Sequence, residues 1–387
     1  MNEMNHLVLK FQGDRTGSPQ TLPSLSHTQS PNPQSLSPHC KVKNTFSGQI
    51  KKLPLITKLD HSKLNIRFLN SHKTELQPNK TVFNSFGKVK ILAANTCSGT
   101  LNKKNEDRVR IILNIKRPIL FTEEKWPKSS FFSIFDGHGG SLCAEYLKEN
   151  LHDFIFTSKS FPYRIKKAIF KGFHSCEKRF LEVAEENNDF SGSCALISLI
   201  IGDKCIISNV GDSKAILSMN HGEKIVVVTT EHSPVNETER AKVLKSGGKM
   251  FCDYFIDESG FKVEKGKTKV NPGGLTVTRC LGSVHAKLKK FGGQPELFQP
   301  DPSIKTFTIR ENYDFLLLAS SGFFEQLSCQ ELVDLVWTGI INSTESNTEK
   351  KLDDGLKHLL THALEVRCEE NISIIIIGFQ QLVNYCK

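Results

Sequence analysis

The sequence predicts an α+β fold in which antiparallel sheets form the interior and helices cover the outside. Short, near-continuous runs of Ile, Leu, Val and Phe recur along the chain, as expected of strands that are covered on both faces. Tight turns join several of these runs, and helical patterns lie in pairs between them. This order is typical of a layered α+β body.

The predicted elements begin at Val89. Apolar runs predict strands at Val89–Ala94, Phe131–Phe135, Ala195–Ile201, Lys204–Asn209, Lys214–Leu217, Ile225–Thr229, Phe315–Ala319 and Asn371–Phe379. Apolar residues at helical spacing predict helices at Ser141–Phe156, Tyr163–Val183, Asn236–Ser246, Ser328–Ile340 and Leu352–Val366. Ser328 and Glu331 form a capping-box pattern at the start of one helix.

The basic character of the chain lies in its N-terminal segment. Residues 1–90 hold 13 Lys and Arg against 4 Asp and Glu, a net charge of +9, whereas the remainder holds 38 against 37. Residues 13–50 are rich in Ser, Pro, Gln, Thr and Asn, and such a composition buries too little apolar surface to offset its ordering entropy. We predict a basic, mostly disordered extension at residues 1–85 and a folded domain at residues 86–387.

The cysteines and the apolar runs predict the compartment. The 11 cysteines are scattered without Cys-x-x-Cys pairs, which indicates reduced thiols rather than a disulfide scaffold. The N-terminus lacks the apolar segment of a secretory leader, and no apolar run has the length of a membrane span. We therefore expect a monomer of the cytoplasm, the nucleus or both, without membrane contact.

One polar segment, Asp136-Gly-His-Gly-Gly140, directly follows an apolar strand and precedes an amphipathic helix. A carboxylate at a strand end, backed by glycines, lets a metal ion approach the Asp136 side chain and the Gly137 carbonyl, and Mg²⁺ or Mn²⁺ prefers such oxygen ligands. His138 could donate a proton to a leaving group. The alternative interpretation is a Gly-rich turn whose Asp caps the helix.

Three other carboxylates are candidates for the same chemistry. Glu106 and Asp107 are adjacent in a polar loop and could hold metal-bound waters, although an ordinary solvated turn also explains them. Asp212 lies in a tight turn between two predicted strands, where Asp is usually structural and could also be an outer metal ligand. Each of these motifs is weak when it is considered alone.

Taken in order, the segments resemble the type 2C metal-dependent serine/threonine protein phosphatases. The resemblance runs from about Ile91 to Phe379. It rests on Glu106-Asp107, Asp136-Gly-His-Gly-Gly140, Gly192-Ser-Cys-Ala, Asn209-Val-Gly-Asp-Ser213, Glu231-His-Ser-Pro, Leu275-Thr-Val-Thr-Arg-Cys-Leu-Gly-Ser283, Ser321-Gly-Phe-Phe-Glu325 and Glu370-Asn-Ile-Ser373.

The resemblance implies a four-layer α-β-β-α sandwich with two central antiparallel sheets. It implies a cleft with two Mg²⁺ or Mn²⁺ ions, where a metal-activated water hydrolyses phosphoserine or phosphothreonine. Asp136 would bridge the metals, and Gly137 would supply a backbone ligand. The other implied roles are metal-bound water contacts for Glu106 and Asp107, general acid for His138, and an accessory metal position for Asp212.

The sequence departs from the family pattern where the chemistry lies. Ser321 replaces an Asp that ligates the second metal, Glu325 replaces the second Asp of that motif, and Glu370 replaces another metal-ligand Asp. Asn102 replaces the phosphate-binding Arg, and Ser283 replaces the Asp that follows Leu-Gly. Because a neutral hydroxyl is a poor ligand for a hard dication, we expect one metal ion or none.

Three hypotheses for the function follow. The first is a catalytically impaired phosphatase domain that acts by binding a phosphoprotein or another protein partner. The second is an atypical Mn²⁺- or Mg²⁺-dependent phosphatase, favoured by the retention of His138. The third places the function in the basic extension, whose charge could attract nucleic acid, membrane or an acidic partner. A solvated extension explains that charge more simply, so we expect no specific nucleic-acid binding.

Overall fold

The computed structural model describes residues 75–76, 80–82, 86–100, 104–118 and 126–387. The strands are β1 (Glu75–Leu76), β2 (Lys80–Val82), β3 (Ile91–Cys97), β4 (Arg108–Ile112), β5 (Ser129–Phe135), β6 (Gly137–His138), β7 (Gly192–Ser193), β8 (Ala195–Ile201), β9 (Lys204–Val210), β10 (Lys214–Met219), β11 (Lys224–Val227), β12 (Lys249–Ile256), β13 (Lys262–Asn271), β14 (Leu281–Gly282), β15 (Ser303–Thr308), β16 (Tyr313–Ala319) and β17 (Ile372–Gly378). The helices are α1 (Leu142–Phe156), α2 (Ile165–Asn187), α3 (Glu237–Lys245), α4 (Val284–Lys287), α5 (Cys329–Ile341), α6 (Thr348–Glu365) and α7 (Gln380–Cys386), with 3₁₀ turns at Lys289–Phe291 and Ser321–Glu325.

Two six-stranded antiparallel sheets form the centre of the fold. Their strand orders are β1-β4-β5-β8-β9-β15 and β11-β10-β16-β17-β3-β2. Helix α1 lies against β4 and β5 of the first sheet and packs with α2, whereas α5 and α6 pack together against the second sheet. The predicted four-layer α-β-β-α sandwich is thus confirmed.

Strand β17 shows why the central strands are apolar at nearly every position. Ile374 and Ile376 pack against α5 and α6 in one apolar cluster, whereas Ile375 and Ile377 lie between the two sheets in another. Successive side chains of a strand point to opposite faces, so a strand covered on both faces is apolar except where a polar side chain has a buried hydrogen-bond partner. In β17 that exception is Ser373, which donates to Asp107. The prediction of doubly covered strands is confirmed here.

Several elements lack the sequence patterns that predict strands. Strand β4 alternates Arg108 and Arg110 with apolar residues, and the arginines pair with Glu145 and Glu149 of α1. The β12–β13 hairpin is solvent-exposed over most of its length. Charged residues interrupt β13, and most apolar side chains of β12 face solvent, so the hairpin lacks the pattern of a buried strand.

Two short paired strands lie on the N-terminal side of the folded domain that the sequence predicts at residues 86–387. Strand β1 pairs with β4 and β2 pairs with β3, so strand pairing reaches Glu75, on the N-terminal side of the predicted boundary at residue 86. The rest of the predicted extension, residues 1–74, 77–79 and 83–85, lies outside the described residues. No helix in the described part of the chain has the length and apolarity needed to cross a membrane.

Candidate functional site

Asp136 lies directly after β5 and is held by side chains from two other strand ends. Its Oδ2 accepts hydrogen bonds from the Ser321 backbone N (2.8 Å) and Oγ (2.7 Å), and from Ser213 Oγ at 3.4 Å. Burial raises the pKa of Asp136, and the two Ser321 hydrogen bonds partly offset that rise. Where the family has a ligand carboxylate, this chain therefore has a hydrogen-bond donor to Asp136.

Asp107 is a buried carboxylate beside Asp136. Its Oδ2 accepts a hydrogen bond from Ser373 Oγ at 2.7 Å, whereas its buried Oδ1 has no hydrogen-bond partner among the described residues. Burial and then the charge of Asp136 raise the pKa of Asp107 well above its ordinary value. An orphaned carboxylate oxygen of this kind is suited to a cation.

The loop that carries Glu106 is positioned by Asn371. Asn371 Oδ1 accepts from the Glu106 backbone N at 2.8 Å, and its Nδ2 donates to the Ser98 and Lys104 carbonyls. Glu106 Oε2 accepts from the Gly140 backbone N at 3.1 Å. A Cβ at Gly137 would lie 2.4 Å from the Glu106 carbonyl oxygen, so only glycine allows this approach.

A lysine from the β12–β13 hairpin lies between two carboxylates. Lys267 Nζ is 2.9 Å from Glu325 Oε1 and 3.4 Å from Glu370 Oε2. Burial alone would lower the pKa of Lys267, but the neighbouring carboxylates outweigh burial and raise it. Burial raises the pKa of Glu370, and Lys267 opposes that rise.

Asp212, the predicted accessory position, lies in the turn between β9 and β10. Its Oδ1 accepts a hydrogen bond from Cys194 Sγ at 3.4 Å. Burial, followed by the charge of Asp136, raises the pKa of Asp212 to about 7. With Lys267 and Ser321 it lines a cleft of about 340 Å³.

These residues do not fit a pair of divalent ions. Within the described residues, no three His, Cys, Asp or Glu side chains converge as a metal-ligand group. Asp107, with its orphaned oxygen, fits a cation, but Ser321 donates to Asp136 and Lys267 pairs with Glu325 and Glu370. The structure thus keeps part of the implied set of metal ligands. Next to these carboxylates lie the hydrogen-bond donors of Ser321 and the ammonium group of Lys267.

The His138 ring forms a hydrogen bond with a serine, Ser283. Strands β6, β7 and β14 form a small sheet, which brings His138 Nε2 to 2.9 Å from Ser283 Oγ. A Cβ at Gly192, between them, would lie 2.0 Å from Ser283 Oγ, so the contact requires glycine there. Burial, with the charges of Lys287 and His285, lowers the pKa of His138 to about 4. The imidazole is therefore neutral at pH 7, which disfavours the implied general-acid role.

The substitution Ser283→Asp should raise the pKa of His138 by about one to two pH units, because an adjacent carboxylate favours the charged imidazole. The check is an NMR titration of the His138 ring in both proteins. Ser283→Asn is the matched control, since it has nearly the same shape without the charge. Equal pKa values in the Asp and Asn variants would contradict the explanation.

Other functional contacts were missed by sequence reasoning. Ser213 donates to Asp136, and Ser373 donates to Asp107. Both serines are the last residues of motifs that carry the family resemblance. Lys267 carried no local sequence pattern, because it is one lysine among several in β13. Asn102 lies outside the described residues, so the loss of the phosphate-binding Arg rests on sequence alone.

Comparisons with known proteins agree on one family. Residues 96–372 match the family model of protein phosphatase 2C. Protein phosphatase 2C homolog 2 of Hypocrea jecorina is 27% identical over 71% of this chain and 59% of its own length. Probable protein phosphatase 2C 45 of Oryza sativa subsp. japonica is 31% identical over 64% of this chain and 76% of its own length.

Solved structures agree with the fold. A sex determining protein of C. elegans matches with a TM-score of 0.62 at 22% identity, covering 78% of this chain and 67% of that one. A serine-threonine phosphatase 2C from Toxoplasma gondii matches with a TM-score of 0.59 at 15% identity, covering 79% of this chain and 100% of that one. At these identities the likeness concerns the fold alone.

Proposed function

The chain belongs to the protein phosphatase 2C family, and on that premise we propose that it is a catalytically impaired member which acts by binding a protein partner. The observation that carries the proposal is the pair of hydrogen bonds from Ser321 to Asp136 Oδ2, at 2.7 and 2.8 Å. They engage the carboxylate that the resemblance implies for metal bridging. Loss of one ligand carboxylate costs the reaction several kcal/mol of charge stabilisation.

The environment of His138 supports the same proposal. A general acid must carry its proton at the working pH, and a pKa of about 4 leaves this imidazole neutral. Asn102, in place of the phosphate-binding Arg, removes the bidentate fork that a phosphoryl group would need. Metal binding, phosphate binding and proton donation are thus all weakened.

The second candidate is an atypical Mn²⁺- or Mg²⁺-dependent serine/threonine phosphatase. The observation that favours it is the orphaned Oδ1 of Asp107 beside Asp136, which could hold one divalent ion together with the Gly137 carbonyl. A bound ion would supply charge neutralisation and an activated water. Glu106 would help to position that ion, and Asn371 would hold the loop that carries Glu106.

For the partner, we propose a phosphoprotein or another protein, bound by a monomer of the cytoplasm or nucleus. The exposed apolar side chains of the β12–β13 hairpin support a protein-binding role, because such residues are typical of protein contact surfaces. The most exposed are Tyr254, Ile256 and Phe261. We propose no nucleic-acid or membrane role.

The test of the proposed function is metal binding and turnover by the full chain. We expect Mn²⁺ to bind no tighter than about 1 mM by calorimetry, and phosphopeptide turnover in Mn²⁺ to equal that of Asp136→Asn. Micromolar binding with robust turnover, both lost in Asp136→Asn, would instead establish the atypical phosphatase.

A further inference from the structure

Lys267 is the lysine that β13 directs into the cleft. Its neighbours on the strand stay with the hairpin, since Lys269 pairs with Asp253 and Lys262 lies over the Tyr254 ring. Lys267 Nζ instead leaves the hairpin and reaches Glu325, which follows β16, and Glu370, which precedes β17.

A register shift in the hairpin places this lysine. Asp253 pairs with Lys265 and Phe251 pairs with Lys269, so three residues of β13 oppose one of β12. Gly266, immediately before Lys267, has a φ of +80°, a left-handed conformation that glycine adopts without strain. Extra residues in one strand bend it and redirect a side chain, which here is the side chain of Lys267.

Lys267 is surrounded by several carboxylates, as a divalent metal ion would be. Glu325 and Glu370 contact its ammonium group, and the carboxylates of Asp136 and Asp212 lie close enough for their charges to act on it. Carboxylates this crowded need a counter-charge. A ligand Asp with a dication contributes a net charge of about +1, and so does Ser321 with Lys267.

We propose that Lys267 is a tethered cation that takes over the charge of one divalent metal ion in this cleft. Its ion pairs with Glu325 and Glu370 also fasten the β12–β13 hairpin across the cleft. Divalent metal ions compete with Lys267 for the same carboxylates, so metal affinity and hairpin attachment are coupled. The inference rests on the proposed function only in identifying the cleft with the family's metal position.

The test compares Lys267→Gln with the wild-type full chain, using Mn²⁺ as the probe. We expect Mn²⁺ affinity by calorimetry to rise at least about tenfold, because a unit positive charge leaves the carboxylates. Without metal, backbone amides of residues 249–271 should exchange hydrogen faster than in the wild type. Added Mn²⁺ should raise the melting temperature of Lys267→Gln more than that of the wild type.

Lys265→Gln is the matched control, because it makes the same charge change in the same strand, where Lys265 is exposed. It should leave metal affinity and hairpin exchange unchanged. Adding Asp136→Asn to Lys267→Gln should remove the gained affinity and so locate the ion.

The same Mn²⁺ response in Lys267→Gln as in the wild type, or an equal gain in Lys265→Gln, would overturn the inference. Neither result depends on turnover. A failure of the inference is therefore distinguishable from a failure of the proposed function, which the activity of the wild type decides.

Discussion

Replacing Ser321 by Asp and Asn102 by Arg in one protein should raise metal-dependent phosphatase turnover by about 10²- to 10⁴-fold. The aspartate removes the hydroxyl donor that now contacts Asp136 Oδ2, while the backbone N–H at position 321 remains. It also supplies a negatively charged oxygen ligand for a divalent ion. The arginine restores a bidentate contact to a phosphoryl group. Together they recover about 3–5 kcal/mol of transition-state stabilisation.

The measurement is initial-rate turnover of a phosphoserine or phosphothreonine peptide with Mn²⁺ in excess. Ser321→Asn combined with Asn102→Arg is the matched control, because Asn has the shape of Asp without its charge. Adding Asp136→Asn to the restored protein should abolish the gain. No gain from the double restoration would refute the explanation of the impairment by these two positions.

Replacing Lys287 by Met should lower the free energy of unfolding by about 3–5 kcal/mol. The Lys287 and Glu177 side chains are only 5% and 7% exposed and form an ion pair. Lys287 Nζ also donates to the Cys280 carbonyl at 2.7 Å, and Glu177 Oε2 accepts from the Gly282 backbone N at 2.8 Å. Removing the lysine leaves the charge of Glu177 buried without its partner, which is costly.

Denaturant unfolding of the two proteins, followed by circular dichroism, is the measurement. Lys290→Met is the matched control, because its ammonium pairs with Glu185 on the surface, where both side chains are about half exposed, and should cost less than about 1 kcal/mol. The double variant Glu177→Gln, Lys287→Met should recover part of the loss. A cost for Lys287→Met no greater than for Lys290→Met would show that the buried pair contributes little.

The layered fold could be predicted because its strands are simple. A strand covered on both faces is apolar at nearly every position, and β8, in which Ser198 is the one polar residue, was predicted with its observed bounds, Ala195–Ile201. The helix α5 was predicted through its capping box, which the structure contains between Ser328 and Glu331. Elements with mixed patterns, β4 and the β12–β13 hairpin, were missed because charged partners or solvent cover their side chains.

The candidate site also has features that the sequence predicts and features that only the tertiary structure reveals. The sequence by itself determined which carboxylates are present and that Ser321, Asn102 and Ser283 replace charged residues, because ordered motifs carry that information. Only the tertiary structure decided what takes their place. Lys267 is 58 residues from Glu325 in the chain, and a register shift in an exposed hairpin directs it into the cleft. Such a contact depends on the relative placement of distant elements, which no local pattern encodes.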